Sequence, residues 1–482
     1  MEEVDILLIN GTIITMNSTR EVIENGAIAV KGNLIHDIGN SKYITERYQA
    51  KKIINASRKA IMPGLIDTHG HSGHSMIKNA GTHLDGFGWR TMVDHVYFRS
   101  ATEDFWFADG MLSALERLKF GTTYGVSMLG SAPRSDSPRY GQRFIDGVME
   151  IGIRTMTCIG PPRAPWPRTF TDWKEGKRFD KQVTQETCFE TTEQIIQDAH
   201  NSHNGKVNVW VSASRFSMPS PYDPMFDESH LPDALKLASR MREIANKYHV
   251  GMHTHAYAGV IASLNNYLPE VLGPDLLLAH CTGMTEEELD IMLASGVKVA
   301  HCPTTGRMYE YDASVPVVEM IDKGIVVGLG TDGSSSNSYD MFKDMRAAQF
   351  HQRMRFTDKW MLPPGKTLEM ATIDGAKAVG LEDKIGSLET GKEADIIAID
   401  LVKPHLTPAV MIPYLLTNEA NGSDVDTVLV QGKILMENYD VKTVNEREVI
   451  DFAEKEAQKA VELSGIEPLM QLPEHFWGHS RY

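Results

Sequence analysis

Cysteine is scarce in this chain: Cys158, Cys188, Cys281 and Cys302 are scattered over 482 positions with no C-x-x-C pair. That spacing suggests neither a disulfide framework nor a zinc ribbon, and a reducing cytoplasm is the expected compartment. Long apolar runs are missing too. None approaches the roughly 20 residues that span a bilayer, and the start, MEEVDILLINGT, lacks the basic-then-apolar pattern of a secretory signal. Positive charge is in deficit, with 48 Lys plus Arg against 64 Asp plus Glu and a net charge of −16. Such a surface repels phosphate backbones and anionic lipid heads, so neither nucleic acid nor a membrane is an expected partner. What remains is the composition of a soluble globular protein, 42% hydrophobic and 23% charged, in a chain too long for one usual domain.

The two ends carry short β patterns. ILLI, Asn10-Gly11 and TIITM, then AIAV, Gly32-Asn33 and LIHDI, read as hairpins around glycine turns. A matching pattern returns late, with ADIIAIDL followed by TVLV, Gln431-Gly432 and KILM. Neither piece builds a core alone, so residues 1–57 and 386–445 are expected to form one small discontinuous β-sandwich domain. Between them, residues 58–385 alternate strand-like and helix-like stretches. Eight apolar runs stand out: AIMPGLIDTH, GTTYGVSM, RTMTCIG, VNVWVSAS, VGMHTH, DLLLAHC, VKVAHC and IVVGLGTD. Eight is the number that closes a (β/α)8 TIM barrel, an α/β fold whose chemistry sits at the C-terminal ends of the strands. The remainder, 446–482, reads as a helix and tail, with Asn445 as its N-cap and Val449, Phe452, Ala453, Ala457, Ala460 and Val461 as an apolar face for an edge or a neighbouring subunit.

Several barrel runs end in metal-ligating side chains. His69 and His71 lie two apart, on one face of a strand; the fifth run ends His253-Thr254-His255, the sixth at His280, the seventh at His301 and the eighth at Asp332. Alone, an H-x-H pair is weak evidence. Together, imidazoles and a carboxylate at one rim suit zinc, with iron or manganese as alternatives, and leave a coordination position for water.

The segments MPGLIDTHGHSGH, GMHTH, LLLAHC with TEEEL, VAHCP, GLGTDG and GSLETGKEADIIAIDL resemble the amidohydrolase superfamily. More narrowly, they resemble the branch that holds S-adenosylhomocysteine and methylthioadenosine deaminases and the atrazine/triazine hydrolases. The resemblance implies one divalent metal held by His69, His71, His255 and Asp332. It makes His280 the catalytic residue that polarises the substrate or holds its leaving group, beside Asp332, which can accept the water's proton, with His253 supporting a ligand from behind and His301 lining the substrate pocket. Trp89, Arg307 and Tyr309 are candidate pocket residues. Asp332 also reads as a helix N-cap in GTDGSSSN, a role that competes with ligation unless Ser334 to Ser336 cap instead. The implied reaction drives an activated water onto a carbon bearing nitrogen in a small compound, an aminated heterocycle, amide or urea, with release of ammonia or an amine.

Two departures limit the transfer. The fourth run, VNVWVSASRFS, has no Lys, Asp or Glu to bridge a second ion. Deaminases of this branch carry H-x-x-E after the fifth strand, whereas this chain reads His255-Ala256-Tyr257-Ala258, with alanine in place of the acid. Ordinary nucleoside deamination is therefore disfavoured, and Asp332, His280, Glu310 or Asp312 must move the proton, or the leaving group must not need one. Release of a non-nitrogen group, as by a dehalogenase or lactonase, stays open, as does a non-catalytic scaffold. The expected partners are a small-molecule substrate and copies of the chain itself, as a dimer or tetramer.

Overall fold

A computed structural model describes residues 1–129, 134–220, 228–305, 315–333 and 337–478. All eight apolar runs become strands of one parallel sheet: Leu65–Asp67, Thr122–Met128, Arg154–Ile159, Val207–Arg215, Met252–Tyr257, Leu276–Thr282, Lys298–His301 and Val327–Leu329, in sequence order. Most of their residues are buried, as in a parallel sheet covered on both faces, which explains near-continuous apolar runs rather than alternation. The first and eighth strands close the barrel through Thr68, whose N–H and hydroxyl both donate to the Leu329 carbonyl at 2.9 and 2.7 Å. A hairpin, Arg168–Lys174 with Lys177–Val183, interrupts the repeat after the third strand.

The first run divides in two. Lys59–Pro63 pairs with Glu2–Ile14 and Ile396–Asp400 in a separate sheet, and Leu65–Asp67 begins the barrel. Gly64 makes the turn between them, since a side chain there would sit 2.1 Å from the Thr123 hydroxyl.

That separate sheet has nine strands and is built from both ends of the chain, as expected. One inner face gathers Leu8, Ile13, Ile28, Val30, Ile54 and Ile61 with Ala394, Ile396 and Leu429 into a single core. Gly32-Asn33 and Gln431-Gly432 are the hairpin turns that the pattern indicates, the latter with positive φ at both residues, the type I′ geometry. Asn10-Gly11 is not a turn. It lies inside the strand Glu2–Ile14 as an irregularity in the pairing, where Leu8 faces Ile28 and Gly11 faces Gly26. A glycine is needed because a Cβ would meet Ile61 Cδ1 at 2.5 Å.

The C-terminal helix runs Glu446–Ser464, with the Asn445 side chain accepting from the backbone N–H groups of Arg447 and Glu448. Its apolar face is used within the chain. Val449, Ala453, Ala460 and Val461 are buried, and Phe452 meets Phe107 of the helix Glu103–Lys119 edge-on at 6.2 Å. Among the described residues no helix is long and apolar enough to cross a membrane.

Candidate active site

The histidines and the aspartate of the strand ends converge at the barrel mouth. Asp332 Oδ1 lies 3.0 Å from His69 Nε2, 3.1 Å from His71 Nε2 and 4.0 Å from His280 Nε2. His255 Nε2 is 3.3 Å from His71 Nε2. One ligand atom each of His69, His255, His280 and Asp332 fits within a mutual 4.8 Å.

Hydrogen bonds behind the rings fix which nitrogen faces inward. His253 Nδ1 is 2.8 Å from the Leu277 carbonyl, so that nitrogen carries the proton and Nε2 is an acceptor. His69 Nδ1, 2.8 Å from His253 Nε2, therefore donates, and the lone pair of His69 Nε2 points at Asp332. His255 Nδ1 likewise donates to the Ser214 carbonyl at 2.5 Å, turning its Nε2 lone pair toward His71.

Burial pushes the imidazoles of His69 and His255 well below their ordinary pKa and lowers that of His280, so these rings are neutral at pH 7. Burial opposes the charge of Asp332, and its carboxyl is held well below the ordinary range only where the facing His280, His69 and His71 carry protons or positive charge toward it; with neutral rings that place falls to a cation. The acceptor atoms of His69 and Asp332 thus face one another at 3.0 Å with no proton between them, an unfavourable arrangement unless a cation is shared. Two ligands about 2.0–2.1 Å from one ion at a tetrahedral angle lie about 3.4 Å apart. The donor set and its spacing therefore fit a divalent metal. With His71 the cluster offers five donors in all, two more than the three that a four-coordinate ion with one open position requires.

The backbone at this rim is strained and held. His280 and Asp332 sit in the left-handed region, with φ of 70° and 62°, at a cost of order 1–3 kcal/mol each. Buried Asp67 supplies part of the restraint. Its carboxylate accepts from the N–H and hydroxyl of Thr331 at 2.9 and 3.0 Å, and from Arg117 Nη2 at 2.9 Å. Capping does not compete for Asp332, because the next helix, Met341–Phe356, is capped by Asp340. Ser334, Ser335 and Ser336, the alternative caps, lie outside the described residues.

A cleft of about 1060 Å³, part of it open to solvent, leads to these groups. Trp89 lines it as expected, together with His74, Tyr257, Arg90, Arg163 and Arg215. His301 is 3% exposed, shares register with Leu329 and is not among the lining residues; neither of its ring nitrogens has a hydrogen-bond partner among the described residues. Arg307 and Tyr309, along with Glu310 and Asp312, fall outside the described residues. Ala258 is 2% exposed, and Glu288, an acid among the described residues nearby, does not take over its position, because it spends its carboxylate on the backbone N–H groups of Gly259, Ile261 and Thr285. Among the described residues the carboxylates lining the cleft are Asp332 and Asp94, and Asp94 is engaged by Arg163 at 2.9 Å and Arg168 at 3.3 Å.

Sequence reasoning passed over His74 and Arg215. Both had a signal: His74 follows the H-x-H pair by three residues, and Arg215 ends the fourth strand, where only the absence of Lys, Asp and Glu attracted notice. Burial lowers Arg215 to about 10, which leaves it cationic at neutral pH.

Comparisons with known proteins bear on the fold and the family. The 5'-deoxyadenosine deaminase of Methanosarcina mazei is 29% identical over 476 residues, covering 95% of this chain and 98% of that protein. An adenosine deaminase from Xanthomonas campestris, solved with bound zinc, superposes with a TM-score of 0.80 at 19% identity, over 96% of this chain and 99% of its own. Atrazine chlorohydrolase from Arthrobacter aurescens, complexed with zinc, superposes with a TM-score of 0.72 at 20% identity, over 94% and 100%. At these identities the two structures bear on the fold. Residues 60–435, from the strand that precedes the barrel to the last hairpin of the chain-end sheet, match the amidohydrolase family, and with that span the chain belongs to it.

Proposed function

We propose that this amidohydrolase holds one zinc ion through His69, His71, His255 and Asp332 and hydrolyses a C–N bond in a small aminated heterocycle, amide or urea, releasing ammonia or an amine. The observation that carries the reading is the convergence of His69 and His71 on Asp332 at 3.0 and 3.1 Å, with His255 3.3 Å from His71 and the lone pairs of His69 and His255 facing inward. A single ion is favoured because Arg215, a cation, occupies the end of the fourth strand where a second ion would need an anionic bridge. When bound, such an ion supplies Lewis acidity toward water, lowering its pKa from about 15.7 toward about 7.

The chain's own residues then divide the work. Asp332, ionised and next to three imidazoles, accepts the proton of the attacking water. His280, whose Nε2 stands 4.0 Å from Asp332, is placed to hydrogen-bond the oxygen or nitrogen on which charge builds. Tyr257, stacked on His280 with centroids 6.1 Å apart, limits that ring's rotation. With Ala258 in place of an acid, the proton for the leaving nitrogen travels through Asp332 and His280. 5'-Deoxyadenosine, for which the relative in M. mazei is named, is the first compound to test.

Ala258 also favours a second reading, in which the leaving group is a halide or an alkoxide that needs no protonation. One screen separates the two. Purified protein is assayed for metal by mass spectrometry and offered aminated heterocycles, amides, ureas, chlorinated heterocycles and lactones, with ammonia, amine, halide and acid detection. About one equivalent of metal, with ammonia or amine as product, is expected. His69→Ala should lose both metal and turnover while its melting curve stays cooperative. Full activity in metal-free protein would overturn the proposal.

A further inference from the structure

The mechanism leaves one buried imidazole in the cleft without a task. His74 is 4% exposed and lines the cleft three residues beyond His71. Its ring stacks on that of His71 at 4.7 Å with 24° between planes, and Trp89 meets it edge-on at 5.3 Å. His74 Nδ1 lies 2.9 Å from the hydroxyl of Tyr97, itself 1% exposed and packed against Phe105 and Trp106. The backbone is shaped for this contact: Gly73 has φ 87°, and a side chain there would lie 2.5 Å from Tyr97 Cζ.

Among the described residues His74 is the hydrogen-bond partner of that hydroxyl, and a buried donor left unmade is costly. The phenol therefore donates to Nδ1, which makes His74 the tautomer with its proton on Nε2. The ring edge that carries Nε2 faces Gly333, in the lining of the same cleft: Cδ2 is 3.5 Å from where a Cβ on Gly333 would stand. We propose that His74 is a specificity-determining residue whose Nε2–H donates to an acceptor atom of the substrate beside the carbon under attack, a ring nitrogen or a carbonyl oxygen. Tyr97 is its positioning residue, setting the tautomer. The site then selects compounds that present such an acceptor and rejects isosteres in which it is replaced by C–H. This inference rests on the hydrolytic reading of the site.

The test has two arms, both on the full metal-loaded chain. In a histidine-selective ¹⁵N spectrum recorded without substrate, the signal that disappears in His74→Gln should be that of a neutral Nε2–H ring, and Tyr97→Phe should shift it. A proton on Nδ1 overturns the proposal. In the kinetic arm, 5'-deoxyadenosine is compared with its 1-deaza and 7-deaza analogues, or the turned-over member of the screen with its C–H isostere. His74→Phe should lower kcat/KM about ten- to a hundredfold with metal content unchanged, and His74→Gln, which keeps an N–H donor, should recover most of it. With the analogue lacking the accepted atom, wild type and His74→Phe should become equal. A His74→Phe enzyme equal to wild type on the full substrate overturns the proposal, as does one that stays impaired to the same degree on every analogue. If wild type turns over nothing in the screen, it is the hydrolytic reading that fails, visible before any variant is compared, and the spectrum alone then decides the donor.

Discussion

His253 makes no approach to substrate, yet its loss should weaken metal binding in a calculable way. In the native chain the Leu277 carbonyl takes the Nδ1 proton of His253, and His253 Nε2 takes the Nδ1 proton of His69, so His69 Nε2 keeps its lone pair for the ion. His253→Phe preserves volume and removes the acceptor. His69, 0% exposed, is then left with an unmade N–H at Nδ1, costing about 1–3 kcal/mol. It escapes by moving its proton to Nε2, where Asp332 Oδ1 waits at 3.0 Å. That tautomer cannot ligate. The metal must reverse it, and loss of a group that orients a ligand typically weakens affinity 10–100-fold, about 1.4–2.7 kcal/mol. Zinc titration of chelator-stripped protein against a competing chelator measures the shift. His253→Gln, which offers a carbonyl oxygen in nearly the same place, should recover part of it. A folded His253→Phe protein that binds zinc within twofold of wild type would refute the tautomer argument, whatever its stability.

Two further outcomes follow from buried charge. Arg117→Leu should destabilise the chain by about 3–5 kcal/mol, because it strips the partner from Asp67 in a site where neither side chain is more than 2% exposed; a denaturant midpoint unchanged from wild type would show that Asp67 is restrained by Thr331 alone. Burial raises Asp109 to about 7, against 3.8 when unfolded, so the native state keeps a proton that the unfolded chain loses between those values. Its contribution to stability is full below pH 3.8 and is lost as pH rises through about 7, roughly 4 kcal/mol at most at 1.36 kcal/mol per unit. Asp109→Asn should flatten that slope in urea melts run from pH 5 to 8, and a slope equal to wild type would mean that another group titrates.

The fold was legible because its strongest signal is redundant. Eight buried strands, each with its own apolar run, survive a mistake in any one, and the period of the whole repeat carries the barrel. The ligand set was legible for the same reason: side chains at strand ends inherit their place from the strand. What escaped was fixed by contacts distant in sequence. Nothing local distinguishes Asn10-Gly11 in a continuous strand from Gly32-Asn33 in a turn; the difference lies in Ile61, which closes over Gly11 from 50 residues away. His301 looks like its neighbours His280 and Asp332, but it lacks the left-handed backbone that those two share, and its ring nitrogens have no hydrogen-bond partner among the described residues. His74 became visible as a site residue only through Tyr97, on a helix whose approach no spacing rule predicts.

The chain-end sheet carries a consequence for biosynthesis. Glu2–Ile14 and Lys59–Pro63 are made early, but Ile396–Asp400, which pairs with Lys59–Pro63, is translated more than 300 residues later. At about 5–20 residues per second that is a delay on the order of tens of seconds. Throughout that interval the β edge carrying Ile61 and Met62 stands open, so the nascent strands beside it are a segment for which protection by a holding chaperone matters.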